Sequence, residues 1–163
     1  MAVEETIDVI VEIAMHSDPV KYEYDNGVLK VDRFMQTSMR YPCNYGFIPN
    51  TLGGDGDPLD VLLIANWPVM PSAHVKARPI GVLIMEDDGG QDEKIIAVPS
   101  AKTDASFNNI KTIDDVSDIL KNQISHFFAH YKNLEAGKWV KVQGFEGIEN
   151  AIKIINKAKQ DYK

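Results

Sequence analysis

As far as Val98 the apolar residues fall in short β-branched and aromatic runs punctuated by glycine, proline and asparagine. Only after Ser117 does a helical period replace them. Val9-Ile10-Val11-Glu12-Ile13 predicts a strand with one acid among apolar neighbours, which makes Glu12 a candidate site residue. Lys21-Tyr22-Glu23-Tyr24 alternates charge with aromatic, so Lys21 and Glu23 share a face. Asp25-Asn26-Gly27 signals a hairpin turn into a returning strand, Val28 to Val31, with Arg33 following. From Met39 to Pro49 the mixture of Tyr41, Pro42, Asn44, Tyr45, Gly46 and Phe47 predicts an ordered surface loop. Its aromatics are either core anchors or ligand-facing hydroxyls. Val61 to Ala65 reads as a buried strand, His74 to Met85 as another with a bend at Arg78-Pro79, and Ile95 to Val98 as a third. Leu120, Ile124, Phe127, Phe128 and Tyr131 then share one helical face, with Ser117 as N-cap and Thr112 able to start an earlier turn. Trp139 to Gln143 predicts a last strand, and Ile148 to Ala158 a short amphipathic helix. Without repeated βαβ units, the order of elements favours an α+β domain on a small, mostly antiparallel barrel.

The chain has 163 residues, 44% apolar and 25% charged, which suits one domain (1–163) with a real core. Its formal net charge of −7 argues against a nucleic-acid surface, which needs a basic stripe to displace counterions. A small anion is still admissible if divalent cations reverse the local field. The single cysteine, Cys43, allows no intrachain disulfide and no thiolate metal site, and a small buried role suits it best. Acids stand near the N-terminus where a signal peptide carries positive charge, and no apolar run approaches membrane-spanning length. A soluble cytoplasmic protein without a membrane partner is expected.

The chemistry concentrates in Gly54-Asp55-Gly56-Asp57-Pro58-Leu59-Asp60. Acids packed this tightly raise one another's pKa unless cations neutralise them. Asp55 and Asp60 lie an odd number of positions apart and point to opposite faces of a regular strand, so they converge on one ion only if the chain turns between them. Gly56 and Pro58 permit that turn. A helix-loop-helix calcium site fails because its sixth and twelfth positions would be Asp60 and Asn66 instead of Gly and Glu. Magnesium or manganese fits oxygen donors with room for water better. A second cluster, Glu86-Asp87-Asp88-Gly89-Gly90-Gln91-Asp92-Glu93, reads as a hairpin-like acidic loop. His126 and His130 have zinc spacing but no adjoining metalloprotease glutamate, so packing or a subunit contact is the better reading.

Asp55-Gly56-Asp57-Pro58-Leu59-Asp60-Val61 resembles the signature of the family I soluble inorganic pyrophosphatases. The similarity extends through Ile7 to Ile13, Pro19 to Glu23, Val31 to Met35, Tyr41 to Gly46, Arg78 to Leu83, Asp87 to Lys94 and His126 to Lys132, and is greatest to the short bacterial, hexamer-forming branch. It implies an oligonucleotide-binding-type (OB-like) five-stranded β-barrel with flanking strands and two α-helices. It also implies magnesium-dependent hydrolysis of pyrophosphate by a metal-activated water, with manganese or zinc as substitutes and a homohexameric assembly. Carried over by position, Asp55, Asp60 and Asp92 would hold a first metal, Asp60 would share a second, and Asp87 and Asp92 would hold a substrate-borne one. Asp57 matches the proton acceptor. Lys21, Arg33, Tyr45, Lys94, Tyr131 and Lys132 match phosphate ligands, and Glu12 and Glu23 match acids of the same cavity. Two positions depart from the family pattern, Ala14 for a proline and Asp88 for a glutamate, and neither is a proposed ligand.

Two rivals make different predictions. A non-catalytic barrel binding oligonucleotides or another protein needs exposed aromatics in a basic groove, whereas Lys21, Arg33, Lys94 and Lys132 are scattered among acids. A magnesium-dependent nucleotide hydrolase is separated by comparing pyrophosphate with nucleoside triphosphates as substrates.

Overall fold

The structure, a computed structural model, describes residues 5–163. In chain order its strands are β1 (Ile7–Ile13), β2 (Val20–Asp25), β3 (Val28–Phe34), β4 (Asn44–Phe47), β5 (Asp60–Leu63), β6 (His74–Asp87), β7 (Gly90–Pro99) and, after helix α1 (Asp118–His130), β8 (Val140–Glu146). Helix α2 (Ile148–Asp161) follows, and two 3-10 turns precede α1. The order β1-β4-β5-β7-β6, with β6 pairing back to β1, closes a five-stranded ring, and β8 adds to the far side of β6. Only β5 and β7 pair in parallel among the described strands. The expected α+β barrel with two helices is therefore what the chain forms. Strands β2 and β3 stand apart as a hairpin, turned by Asn26 and Gly27 at φ 50° and 80°, the positive pair that a two-residue type I′ connection demands.

Alternation explains the packing. In β5, Val61 and Leu63 enter one apolar cluster and Leu62 the other; in β7, Ile95 and Ala97 oppose Ile96 and Val98 in the same way. One cluster takes Ile124, Phe127 and Phe128 of α1, and the other takes Ala151, Ile155 and Ala158 of α2. With both faces covered, these strands read as continuous apolar runs.

Local expectations hold where side-chain periodicity governs. Ser117 caps α1 by accepting from the Leu120 amide, Thr112 precedes the 3-10 turn at 113–115, and the predicted bend falls at the register shift between Pro79 and Gly81. Cys43 is buried, and burial pushes its thiol up to about 12.

Three expectations need correction. The stretch from Met39 to Pro49 is not a surface loop: it contains β4, and Tyr41, Cys43, Asn44, Tyr45 and Phe47 are buried. Gly46 lets β4 press against β1, since a Cβ there would lie 2.0 Å from the Ile10 carbonyl oxygen. The second acidic cluster is mostly strand, β6 running to Asp87 and β7 starting at Gly90. Of the two readings of His126 and His130, core packing is the one that fails: both are exposed, with ring centroids 4.6 Å apart.

Candidate active site

The strands that place Leu62, Ile96 and Met85 in the α1-side cluster continue on the same parity into Asp60, Lys94, Asp92 and Asp87. Asp60 stands beside Lys94 in the parallel β5–β7 pair, and Met85 stands opposite Asp92 in β6–β7. One face is thus apolar along its length and ionic at its end. Glu12 arrives by another route: it is the unpaired residue at the β1–β4 irregularity between Val11 and Ile13, and such bulges re-aim side chains.

The loop before β5 supplies Asp55 and Asp57. Gly53 donates to the Asp57 carbonyl at 2.7 Å, Gly56 donates to the Gly53 carbonyl at 3.1 Å, and Gly56 sits at φ +87°, where a side chain would be strained. The amide of Asp57 donates to the Asp55 carboxylate at 3.1 Å, which fixes that side chain in the turn. The chain therefore turns as the spacing requires. Carboxylate oxygens of Asp55, Asp60 and Asp92 all lie within 4.8 Å of one another.

Lys94 joins two of these acids, Asp60 and Asp92. Its Nζ donates to Tyr45 Oη at 2.6 Å, Asp60 Oδ2 at 2.8 Å and Asp92 Oδ2 at 3.0 Å, and the residue is 2% exposed. Burial opposes its charge, yet Asp60, Tyr45 and Asp92 hold its pKa well above the ordinary lysine value. Burial raises Asp92 to about 6 despite Lys94, and raises Asp55 above the usual carboxylate range with help from Asp60 and Asp57. Desolvation also lifts Glu12 to about 7, against the hydrogen bond it accepts from the Tyr24 amide at 2.8 Å. Asp87 accepts from Lys132 at 3.1 Å and from the Gly89 amide at 2.8 Å.

These groups surround a polar cavity of about 160 Å³. Its walls include Glu12, Lys21, Glu23, Tyr45, Asp55, Asp57, Asp60, Asp87, Asp92, Lys94, Tyr131 and Lys132, with Ile13, Tyr22, Tyr24, Phe47 and Pro58 completing them. Arg33 is the one expected ligand outside these walls. Its Nη1 bonds Asp32 at 2.8 Å and its Nε lies 2.9 Å from Glu135, a partner that no sequence spacing signals. The carboxylate triad suits a hard divalent cation: it offers oxygen donors only, on short side chains whose ligand atoms already converge.

A family model for inorganic pyrophosphatase matches residues 9–163. The inorganic pyrophosphatase of Rickettsia conorii is 59% identical over 152 residues, covering 92% of this chain and 88% of that protein. That of Escherichia coli strain K12 is 52% identical over 149 residues, 90% of this chain and 85% of its own. Among solved structures, an inorganic pyrophosphatase from Coxiella burnetii superposes with TM-score 0.96 at 47% identity, over 99% of this chain and 98% of that one. Another, from Helicobacter pylori, gives 0.94 at 49% identity over 97% and 94%. With its barrel, its acid loop and this likeness along nearly its whole length, the chain belongs to the inorganic pyrophosphatase family.

Proposed function

We propose that this chain hydrolyses inorganic pyrophosphate to two orthophosphates with magnesium, by direct attack of water and without a covalent intermediate. The observation that carries the proposal is the meeting of Asp55, Asp60 and Asp92 oxygens within 4.8 Å at a cavity also walled by Lys94, Lys132 and Lys21. Acids there suit metal ions and lysines suit phosphate, a combination that neither a nucleic-acid groove nor a solubilising acidic turn requires.

Asp55, Asp60 and Asp92 would hold one ion, Asp60 would share a second, and Asp87 with Asp92 would take a third that enters with the substrate. When bound, such ions lower the pKa of water and screen the charge of the diphosphate. Asp57, on the exposed arm of the loop, accepts the proton of the attacking water. Lys94, Lys132, Lys21, Tyr45 and Tyr131 bind phosphate oxygens, and Arg33 contributes its planar fork from the β2–β3 hairpin. Glu12, which burial raises to about 7 in the metal-free site, lines the cavity beside Lys21. Glu23 lines the same wall. We take the chain as one catalytic domain, 1–163, acting in the cytoplasm as a homohexamer, with manganese or zinc as the metals to compare with magnesium. Among the described residues no helix is long and apolar enough to cross a membrane.

Phosphate release from pyrophosphate, with magnesium and then with excess chelator, tests the proposal. Rapid release that chelator abolishes is expected. Equal rates on pyrophosphate and nucleoside triphosphates would overturn the substrate assignment, and full activity in chelator would overturn the metal.

A further inference from the structure

Between β4 and β5 the ladder is irregular in one specific way. Phe47 pairs with Asp60, and one step further the Ile48 amide donates to the Leu59 carbonyl at 3.0 Å. In a regular antiparallel pair the Leu59 amide would return a bond to the Ile48 carbonyl. Instead that amide donates to Thr51 Oγ1 at 3.0 Å, and Thr51 Oγ1 donates to the Ile48 carbonyl at 2.6 Å. A hydroxyl is inserted as a relay in the final rung. Thr51 is 2% exposed, so solvent does not compete for these bonds.

The position matters because everything beyond this rung is the acid loop. The strands separate at Thr51, the next amide, Leu52, donates to the Ala158 carbonyl of α2 at 2.9 Å, and the chain then turns through Gly53 to Pro58 before rejoining at Leu59. We infer that Thr51 is a positioning residue for the metal-binding loop, its inserted hydroxyl setting where Asp55 and Asp57 stand relative to Asp60 and Asp92. The inference rests on the magnesium assignment made above. Removing the hydroxyl leaves the buried Leu59 amide either unpaired or bonded directly to Ile48, which closes the neck of the loop. Both results move Asp55 away from its partners in the triad.

Calorimetric titration of magnesium into the intact protein without substrate tests this, comparing wild type with Thr51→Val, Thr51→Ser and Asp60→Ala. Thr51→Val, nearly isosteric but without a hydroxyl, is expected to bind magnesium about tenfold more weakly, the effect of losing one buried hydrogen-bond partner. Thr51→Ser keeps the relay and should stay within about twofold of wild type. If Thr51→Val does not fold, Thr51→Ala, with less bulk in the gap, carries the same expectation. A purely structural role for Thr51 would lower the melting temperature and leave the magnesium dissociation constant unchanged. That outcome, with Asp60→Ala weakened, overturns the inference. Absence of magnesium binding in wild type instead overturns the metal assignment itself.

Discussion

The loop from Gly53 to Pro58 and the hairpin from β6 through Asp88-Gly89 into β7 bring aspartates to one cavity by different means. In the hairpin, parity does the sorting. Asp92 and Lys94 are two apart and both buried inward, Glu93 between them faces the other way, and Asp88 at the turn is exposed and pairs with Lys138 at 3.1 Å. In the loop no such alternation exists, and Asp55 is held by a positive-φ glycine, an amide bond from Asp57 and the neck at Thr51. Within these two regions regular structure places the buried Asp87 and Asp92, and irregular structure the more accessible Asp55 and Asp57. An acid that must exchange protons with water needs the second kind of support.

This contrast is tested most severely at the junction of the two regions. Lys94→Met removes a cation that touches both Asp60 and Asp92, and leaves buried Asp92 and half-buried Asp60 without it. The metal-free protein should lose about 3–5 kcal/mol in chemical denaturation, with magnesium restoring part of the loss. An unchanged midpoint in chelator would show that the hairpin acids do not depend on it. Asp57→Asn, on the loop side, should leave folding intact and slow phosphate release by about 100-fold or more. Near-normal turnover would remove Asp57 from the base role.

Protonation sets the hairpin's Asp92 beside Glu12, the acid that the β1–β4 irregularity brings to the same cavity. Glu12 at about 7 and Asp92 at about 6 both bind protons more tightly folded than unfolded, where about 4.5 and 3.8 apply. Their protonation therefore favours the metal-free fold at acid pH, a contribution that falls as pH rises through the unfolded values and levels off above the folded ones. Glu12 alone accounts for about 3 kcal/mol of the fall, so Glu12→Gln should flatten the profile between pH 4.5 and 7 in chelator. A profile equally steep in that variant would rule Glu12 out as its source. The smallest effect belongs to the hairpin tip. Lys138→Ala breaks an exposed pair with Asp88 and should change stability by less than about 0.5 kcal/mol; a larger loss would mean that the turn is held by more than parity.

Strand parity, the Asn26-Gly27 turn, the Ser117 cap and the acid loop were all legible in the sequence, because each depends on neighbours within a few positions. Buried β4 was not. Its Pro42, Asn44 and Gly46 are loop formers by local preference, yet Asn44 Oδ1 accepts from the distant Met15 and Val69 amides at 3.0 and 2.9 Å, and Gly46 answers a close approach by β1. The extent of the hairpin was hidden by its acids and glycines, which signal a turn more strongly than a strand. Among site residues, all but Arg33 line the cavity. Its hold by Glu135 joins side chains 102 positions apart, and nothing local announces such a pair.

The parallel pairing of β5 with β7 has a consequence for the order in which the protein comes into being. Asp60 and Lys94 are neighbours only because β6 has already been synthesised and laid beside β7, 34 positions downstream of the first acid. A nascent chain emerging from the ribosome carries the whole signature loop long before it carries the lysine that neutralises it. Ion capture at this centre thus waits on a long-range parallel pairing, the kind of contact that slows folding, and acquisition of metal during refolding should lag behind formation of α2's amphipathic helical turns.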